Sequence, residues 1–305
     1  MVSFFHTLVL AFPLLVLFLF MKYKTIINNS STIPKGPKGL PIIGNLHQLN
    51  IRNLHFQLLN LSKIYGPLFS LQIGFKQAIV VSSPKVAKEI LKDHDLDVCC
   101  RHLSYGLQIF SYNGIDIIFS PYNDSWREIR KICVAHFLSP KKLSSTSHVR
   151  KSEVKQMMEK ISNQVYSSKI SNLSEIILSV LSSIVCRIAF GKSYEHEGAE
   201  KSRFDGLFNE TQAIFLSFFV ADVIPFMGWI DKLTGLLDRV DNTFKAMDEV
   251  FEEILKEHLN PNIRKKEEKD VIDVLLDLRK QGGLSIDLTN DRIKAIIMVM
   301  YCFFF

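Results

Sequence analysis

Two residues four apart, Trp126 and Arg130, stand out for the chemistry their pairing allows. They fall in the run Phe119-Ser-Pro-Tyr-Asn-Asp-Ser-Trp126-Arg127-Glu-Ile-Arg130-Lys131, where Asn123 or Asp124 can cap a helix. Spacing i, i+4 then puts the indole and the guanidinium on one helix face. An indole N–H and a permanently charged five-donor fork side by side suit an anionic carboxylate. The spacing alone equally describes a tryptophan packed in the core with an arginine extending outward from it. The five cysteines (Cys99, Cys100, Cys133, Cys186 and Cys302) include one adjacent pair and no CxxC, which argues against a disulfide framework and against a structural zinc site. No metal ligand set is assigned.

The elements that must position this pair are mostly helical. Lys and Arg number 37 against 31 Asp and Glu, and no dense basic run is interleaved with aromatic residues, so no nucleic-acid partner is expected. A mild basic excess suits an acidic partner or a membrane surface. Residues 2–21 are almost wholly apolar, about the length a membrane helix needs, and Lys22 and Lys24 follow them. A cleaved leader carries its charge before the apolar stretch, so the reading is a retained single-pass anchor with the remainder in the cytoplasm. Residues 33–45 hold three prolines and three glycines and read as a stiff spacer. A helix is expected over 53–64, two short strands around Gly74 over 68–73 and 77–81, and a helix from Pro84 to Asp93. Phe215, Phe218 and Phe219 do not keep to one face, which suits a helix buried on more than one side. Glu200-Lys-Ser-Arg203 is placed in a polar loop, and 264–269 in a solvated one. The fold class is mainly α with a small β-sheet element.

Many ordered features resemble microsomal plant cytochromes P450, closest to the A-type enzymes that oxidise specialised metabolites. They are the apolar start, the Pro34/Gly36/Pro37/Gly39/Pro41/Gly44 pattern, Lys63-Ile-Tyr-Gly-Pro67, and Ser120-Pro121 leading into Trp126-Arg-Glu-Ile-Arg-Lys131. They continue through Asn172-Leu-Ser-Glu175, Ile188-Ala-Phe-Gly191, Glu257-His258, Asp270-Val-Ile-Asp-Val-Leu-Leu276, Leu288-Thr289 and Ile293-Lys-Ala295. The resemblance implies an incomplete cytochrome P450 fold after a transmembrane helix, with 1–24 as anchor, 25–45 as hinge and 46–305 as the N-terminal portion of the catalytic domain. It implies haem as cofactor, with Trp126 and Arg130 at a haem propionate and Arg101 assisting, although the family usually has proline where this chain has His102. Arg127 and Lys131 fall on the helix that in the family helps dock NADPH-cytochrome P450 reductase; a solvated face is the alternative. Residues 103–118 and 204–229 fall where the family lines the pocket for a small apolar substrate.

The family's haem-ligand loop reads F-x-x-G-x-R-x-C-x-G, and no cysteine of this chain has a glycine two places on. The resemblance therefore implies monooxygenase ancestry at the endoplasmic reticulum membrane, with a chain that stops before the iron ligand, has no activity alone and binds haem weakly if at all. The alternative is a non-catalytic membrane-tethered fragment that engages the reductase or other P450s.

Overall fold

The computed structural model describes residues 33–166, 172–192, 198–260 and 269–303. The anchor expected over 1–24 and the loop expected over 264–268 lie outside the described residues. Among the described residues, one helix, Leu173–Phe190, is long and apolar enough to cross a membrane. It carries Arg187 ion-paired to Glu153 and buries Ile176, Val180, Cys186 and Phe190, while Leu173, Ile177, Leu178 and Leu181 are exposed.

The described residues fall into two compact units. The first takes the described residues up to Val98 together with Val220–Gly228. Helix α1 (Leu54–Tyr65) precedes strands β1 (Leu68–Ile73) and β2 (Lys76–Val81), and helix α2 (Pro84–Lys92) follows. The strands pair antiparallel from Leu68↔Val81 to Ile73↔Lys76. Gly74 takes φ +59° at the first turn position, as a tight primed hairpin turn requires. Alternation along β1 buries Phe69 and Leu71. Ser83 caps α2 by accepting from the Val86 amide, with Pro84 just inside the helix where its missing N–H costs nothing. The proline-glycine segment is more than a spacer, because it packs along β1. Asn45 N donates to Gln72 O at 2.5 Å, Gln72 N donates to Asn45 Oδ1 at 2.7 Å, and Ser70 Oγ donates to Pro34 O at 2.7 Å.

The second unit takes Cys99–Phe219 and the described part of Trp229–Phe305. Its principal helices are α3 (Tyr105–Phe110), α4 (Asp124–His136), α5 (Ser147–Tyr166), α6 (Leu173–Phe190), α7 (Gly198–Phe215), α8 (Leu236–Leu259), α9 (Val271–Gln281) and α10 (Asn290–Phe303). A 3.6-residue stripe on α8 (Val240, Thr243, Met247, Val250, Phe251, Ile254) packs inward. Helix α10 is buried nearly all round, from Ile293 to Cys302, which makes it the axis of this unit's core. Tyr301 Oη donates to Phe204 O at 2.8 Å and ties α10 to α7.

Two expectations are corrected. Residues 200–203 lie in the first turns of α7, not in a loop. Helix α7 ends at Phe215, so Phe218 and Phe219 are not helical: Phe219 is buried at 1% exposure in an irregular stretch, while Phe218 is 46% exposed. The mixed-face pattern that suggested a multiply buried helix arises from a helix end followed by a loop.

Candidate functional site

Helix α4 begins where Asn123 accepts the Trp126 amide at 2.8 Å. That cap fixes the helix register, and with it Trp126 and Arg130 share a face. Ile129, Ile132 and Cys133, on the adjoining face of the helix, are buried in the core. Trp126 is half-buried, and the Arg130 guanidinium lies 5.2 Å from the centroid of its ring, within cation–π range. The two side chains are therefore brought together as their spacing predicts. The indole donor, however, is engaged: Trp126 Nε1 donates to Ile117 O at 2.8 Å.

The charges along α4 are not equivalent. Arg127 donates to Asp124 one turn earlier, and Lys131 lies 3.6 Å from Glu128. Arg130 has only the aromatic face of Trp126 and has no carboxylate partner among the described residues. It is exposed, so its charge is available to an anion. A depression of about 670 Å³ beside this helix is lined by Asp124, Ser125, Arg127, Glu128, Lys131, Ser285 and Ile286. Its walls are charged and compensated, unsuited to an apolar ligand.

Arg101 is exposed, and the group it acts on is Asp116, whose carboxyl it helps to keep ionised. Asp116 is 1% exposed. Its Oδ1 accepts from Phe119 N at 2.6 Å and Ser120 N at 3.1 Å, while its Oδ2 is buried without a hydrogen-bond partner. Burial pushes this carboxyl up to about 6, against the pull of the Phe119, Ser120 and Ile118 amides and of Arg101. Spacing did not point to Asp116 or to the Ile117 carbonyl. The one available signal was an Asp a few residues ahead of Ser120-Pro121, the pattern of a side chain that closes a turn on backbone amides.

Residues of 103–118 and the neighbouring Phe119 meet Phe215 and Phe219, which belong to the second-unit part of the other segment expected to line a pocket. Phe110 is edge-on to Phe215 at 5.4 Å, Phe119 to Phe215 at 6.4 Å, and Tyr105 lies 5.9 Å from Phe219. Gly106 permits this approach, since a Cβ there would crowd Ile214 and Phe219. One His/Asp group, His258 with Asp270 and Asp273, holds its donor atoms within 4.8 Å of one another. Those atoms are spoken for: His258 Nδ1 is 2.6 Å from Ile254 O, its Nε2 is 3.1 Å from Asp270 Oδ2, and Asp270 and Asp273 form the capping box of α9. The group is structural.

The exposed guanidinium of Arg130 fits the carboxylate of a prosthetic group, with Trp126 as its platform. The chain matches the family model described as Cytochrome P450 over residues 34–302. It is 42% identical over 296 residues to 6,7,8-trihydroxycoumarin synthase of Pastinaca sativa, covering 96% of this chain and 58% of that protein. It is 40% identical to 5-OH-xanthotoxin synthase of Ammi majus, covering 96% and 58%, and 38% identical to Cytochrome P450 71AP13 of Prunus mume, covering 97% and 57%. The chain thus spans a little over half the length of the curated relatives it matches. A solved zebra fish cytochrome P450, in a structure with progesterone, superimposes with a TM-score of 0.64 at 21% identity, covering 80% of this chain and 54% of that one, and shows the shared fold. From these matches and from the α4 motif, the chain belongs to the cytochrome P450 family, and within it to the plant A-type group.

Proposed function

We propose that these 305 residues are the propionate-holding part of a haem-thiolate monooxygenase that oxidises a small apolar plant metabolite with O₂ and electrons from NADPH-cytochrome P450 reductase. One observation carries the reading. Of the exposed cations Arg127, Arg130 and Lys131 on α4, two are paired with acids of their own helix, and Arg130 lies over Trp126 with no carboxylate partner among the described residues. Such a cation is placed for a ligand carboxylate, with Arg101, whose charge also acts on Asp116, assisting. Haem, when bound through a cysteine thiolate, supplies the oxygen-activating iron. The chain's own residues hold its acid groups and offer the substrate apolar side chains such as Phe110, Phe119 and Phe215, all of the second unit. The relatives' names, 6,7,8-trihydroxycoumarin synthase and 5-OH-xanthotoxin synthase, support an oxygenated plant specialised metabolite as the product class.

The proposal includes that none of the five cysteines is the iron ligand. None lies in the family's loop signature, and Cys133, Cys186 and Cys302 are buried in the core. Burial pushes the Cys133 thiol up to about 12 and that of Cys302 up as well, which opposes a thiolate. This chain alone is then inactive. It is held at the endoplasmic reticulum membrane by residues 1–24, faces the cytosol, and meets the reductase through the exposed Arg127 and Lys131.

Haem titration of the full chain in detergent, read by the Soret band and by quenching of Trp126, tests this. Arg130→Gln is expected to weaken haem binding about tenfold and Arg127→Gln to leave it unchanged. Equal affinities for the parent and Arg130→Gln would overturn the assignment of Arg130. A thiolate-type Soret peak in the reduced, CO-bound difference spectrum would overturn the statement about the cysteines.

A further inference from the structure

The motif Ile293-Lys-Ala295 has no part in the reading above, yet its lysine sits buried beside three carboxylates. Lys294 is 5% exposed and lies on α10, the core axis. Its Nζ is 2.7 Å from Asp248 Oδ1, 3.3 Å from Asp291 Oδ1 and 3.5 Å from Glu252 Oε2. It also lies 5.6 Å from the centroid of the Tyr112 ring. Tyr112 Oη donates to the same Asp248 Oδ1 at 2.6 Å, and its ring meets Phe244 edge-on at 5.1 Å.

What Tyr112 belongs to gives this cluster a purpose. Tyr112, Asn113 and Gly114 hold φ of +51°, +62° and +75° in succession. A left-handed backbone is costly for an aromatic residue, and two such residues in a row persist only where the surroundings hold them. The stretch continues directly into Asp116 and Ile117, and the Ile117 carbonyl is the acceptor of the Trp126 indole. Helix α10 also reaches the start of α4, where Arg292 Nη1 donates to Ser125 Oγ at 2.6 Å.

We propose that Lys294 is a positioning residue: through Asp248 and Tyr112 it fastens the loop 111–120 and so seats the Trp126–Arg130 pair that lies beyond it. Removal of Tyr112 from water and the Asp248 carboxylate beside it push the phenol above its ordinary value, so the hydroxyl stays a donor. For Lys294, burial works against the charge, but Asp248 and Asp291 more than offset it and hold the ammonium above its ordinary value. A buried ion pair of this kind contributes little net stability compared with a well-packed apolar pair. Its value lies in fixing one geometry. Because Asp248, Glu252 and Asp291 lie at the edge of the cluster, with side chains 32%, 32% and 66% exposed, they can rehydrate when the lysine is removed, so the lesion is local.

The functional consequence, but not the latch, rests on the haem reading given above. The chain has two tryptophans, so Trp229→Phe leaves Trp126 as the single emitter. In the full chain with that substitution, Lys294→Met and Tyr112→Phe are each expected to raise acrylamide quenching of Trp126 and to speed hydrogen exchange at the Gly114 and Ile115 amides about tenfold. Lys294→Arg is expected to restore both, and the Lys294→Met/Tyr112→Phe pair to be no worse than either alone. Unchanged quenching and exchange in Lys294→Met, or additive effects in the pair, would overturn the proposal. Should Lys294→Met lose its helical circular dichroism, Tyr112→Phe, which deletes one oxygen atom, decides alone. Haem affinity separates the two claims: quenching and exchange that rise without any fall in affinity leave the latch standing and refute the propionate reading.

Discussion

Replacing Asp116 with Asn should stabilise the protein at neutral pH and do nothing at acid pH. The carboxyl's ordinary value of 3.8 is pushed up to about 6 by burial, with one oxygen bare of partners. A shift of about two units corresponds to ~3 kcal/mol. The folded state holds the proton more tightly than the unfolded chain does. The cost is therefore absent below 3.8, grows as pH rises through the window, and is fully present above about 6. Asn keeps an oxygen for the Phe119 and Ser120 amides and removes the buried charge. The expected gain is about 1–3 kcal/mol at pH ~7.5 and close to none near pH ~4, since relaxation around the loop absorbs part of the ideal figure. Urea unfolding followed by Trp126 emission in a Trp229→Phe background measures both. Arg101→Gln should act in the opposite direction at neutral pH, because it removes the one cation acting on the carboxylate. A loss of stability in Asp116→Asn that is the same at both pH values would refute the reasoning, since it would mean the charge is compensated and the turn needs a carboxylate.

Glu153 is 2% exposed and pairs with Arg187 through one oxygen, while the other has no partner, so Arg187→Met strands a buried charge and should cost ~3–5 kcal/mol. The double variant Arg187→Met/Glu153→Leu should recover most of that loss, and thermal melts of the three proteins check it. Under native conditions a maleimide should label Cys99 and Cys100 and spare Cys133, Cys186 and Cys302, as mass spectrometry of the digested protein will read. Gly44→Ala should cost about 1–3 kcal/mol, with the damage confined to the first unit, because Gly44 holds φ +60° and a Cβ there would be driven into the Gln72 carbonyl. Denaturation followed at the β1–β2 hairpin amides by hydrogen exchange measures it.

What the sequence made legible was local, and the physical reason is visible at the motifs themselves. Asn123 before Trp126, Asn172 before Glu175, Asp270 before Asp273 and Gly191 after Phe190 are helix punctuation, satisfied within three or four residues of where they stand. They fix where α4, α6 and α9 begin and where α6 ends, and with α4 they fix the shared face of Trp126 and Arg130. The helix expected over 53–64 and found at Leu54–Tyr65, and the hairpin with its turn at Gly74, were readable for the same reason. The failures were of two kinds. At Phe215 the apolar run continues past the end of a helix, and hydrophobicity carries no mark of where the backbone stops coiling. At Tyr112 and Asp116 the decisive partners are far along the chain or are backbone atoms. The Tyr112–Asp248 bond spans 136 residues, the Arg292–Ser125 bond 167, and the indole of Trp126 is held by a carbonyl that no residue type announces. A motif such as Ile293-Lys-Ala295 can therefore be read as membership in a family long before its lysine can be read as a part. Only the packing of α10 against α8 and the 111–120 loop gives that charge something to hold.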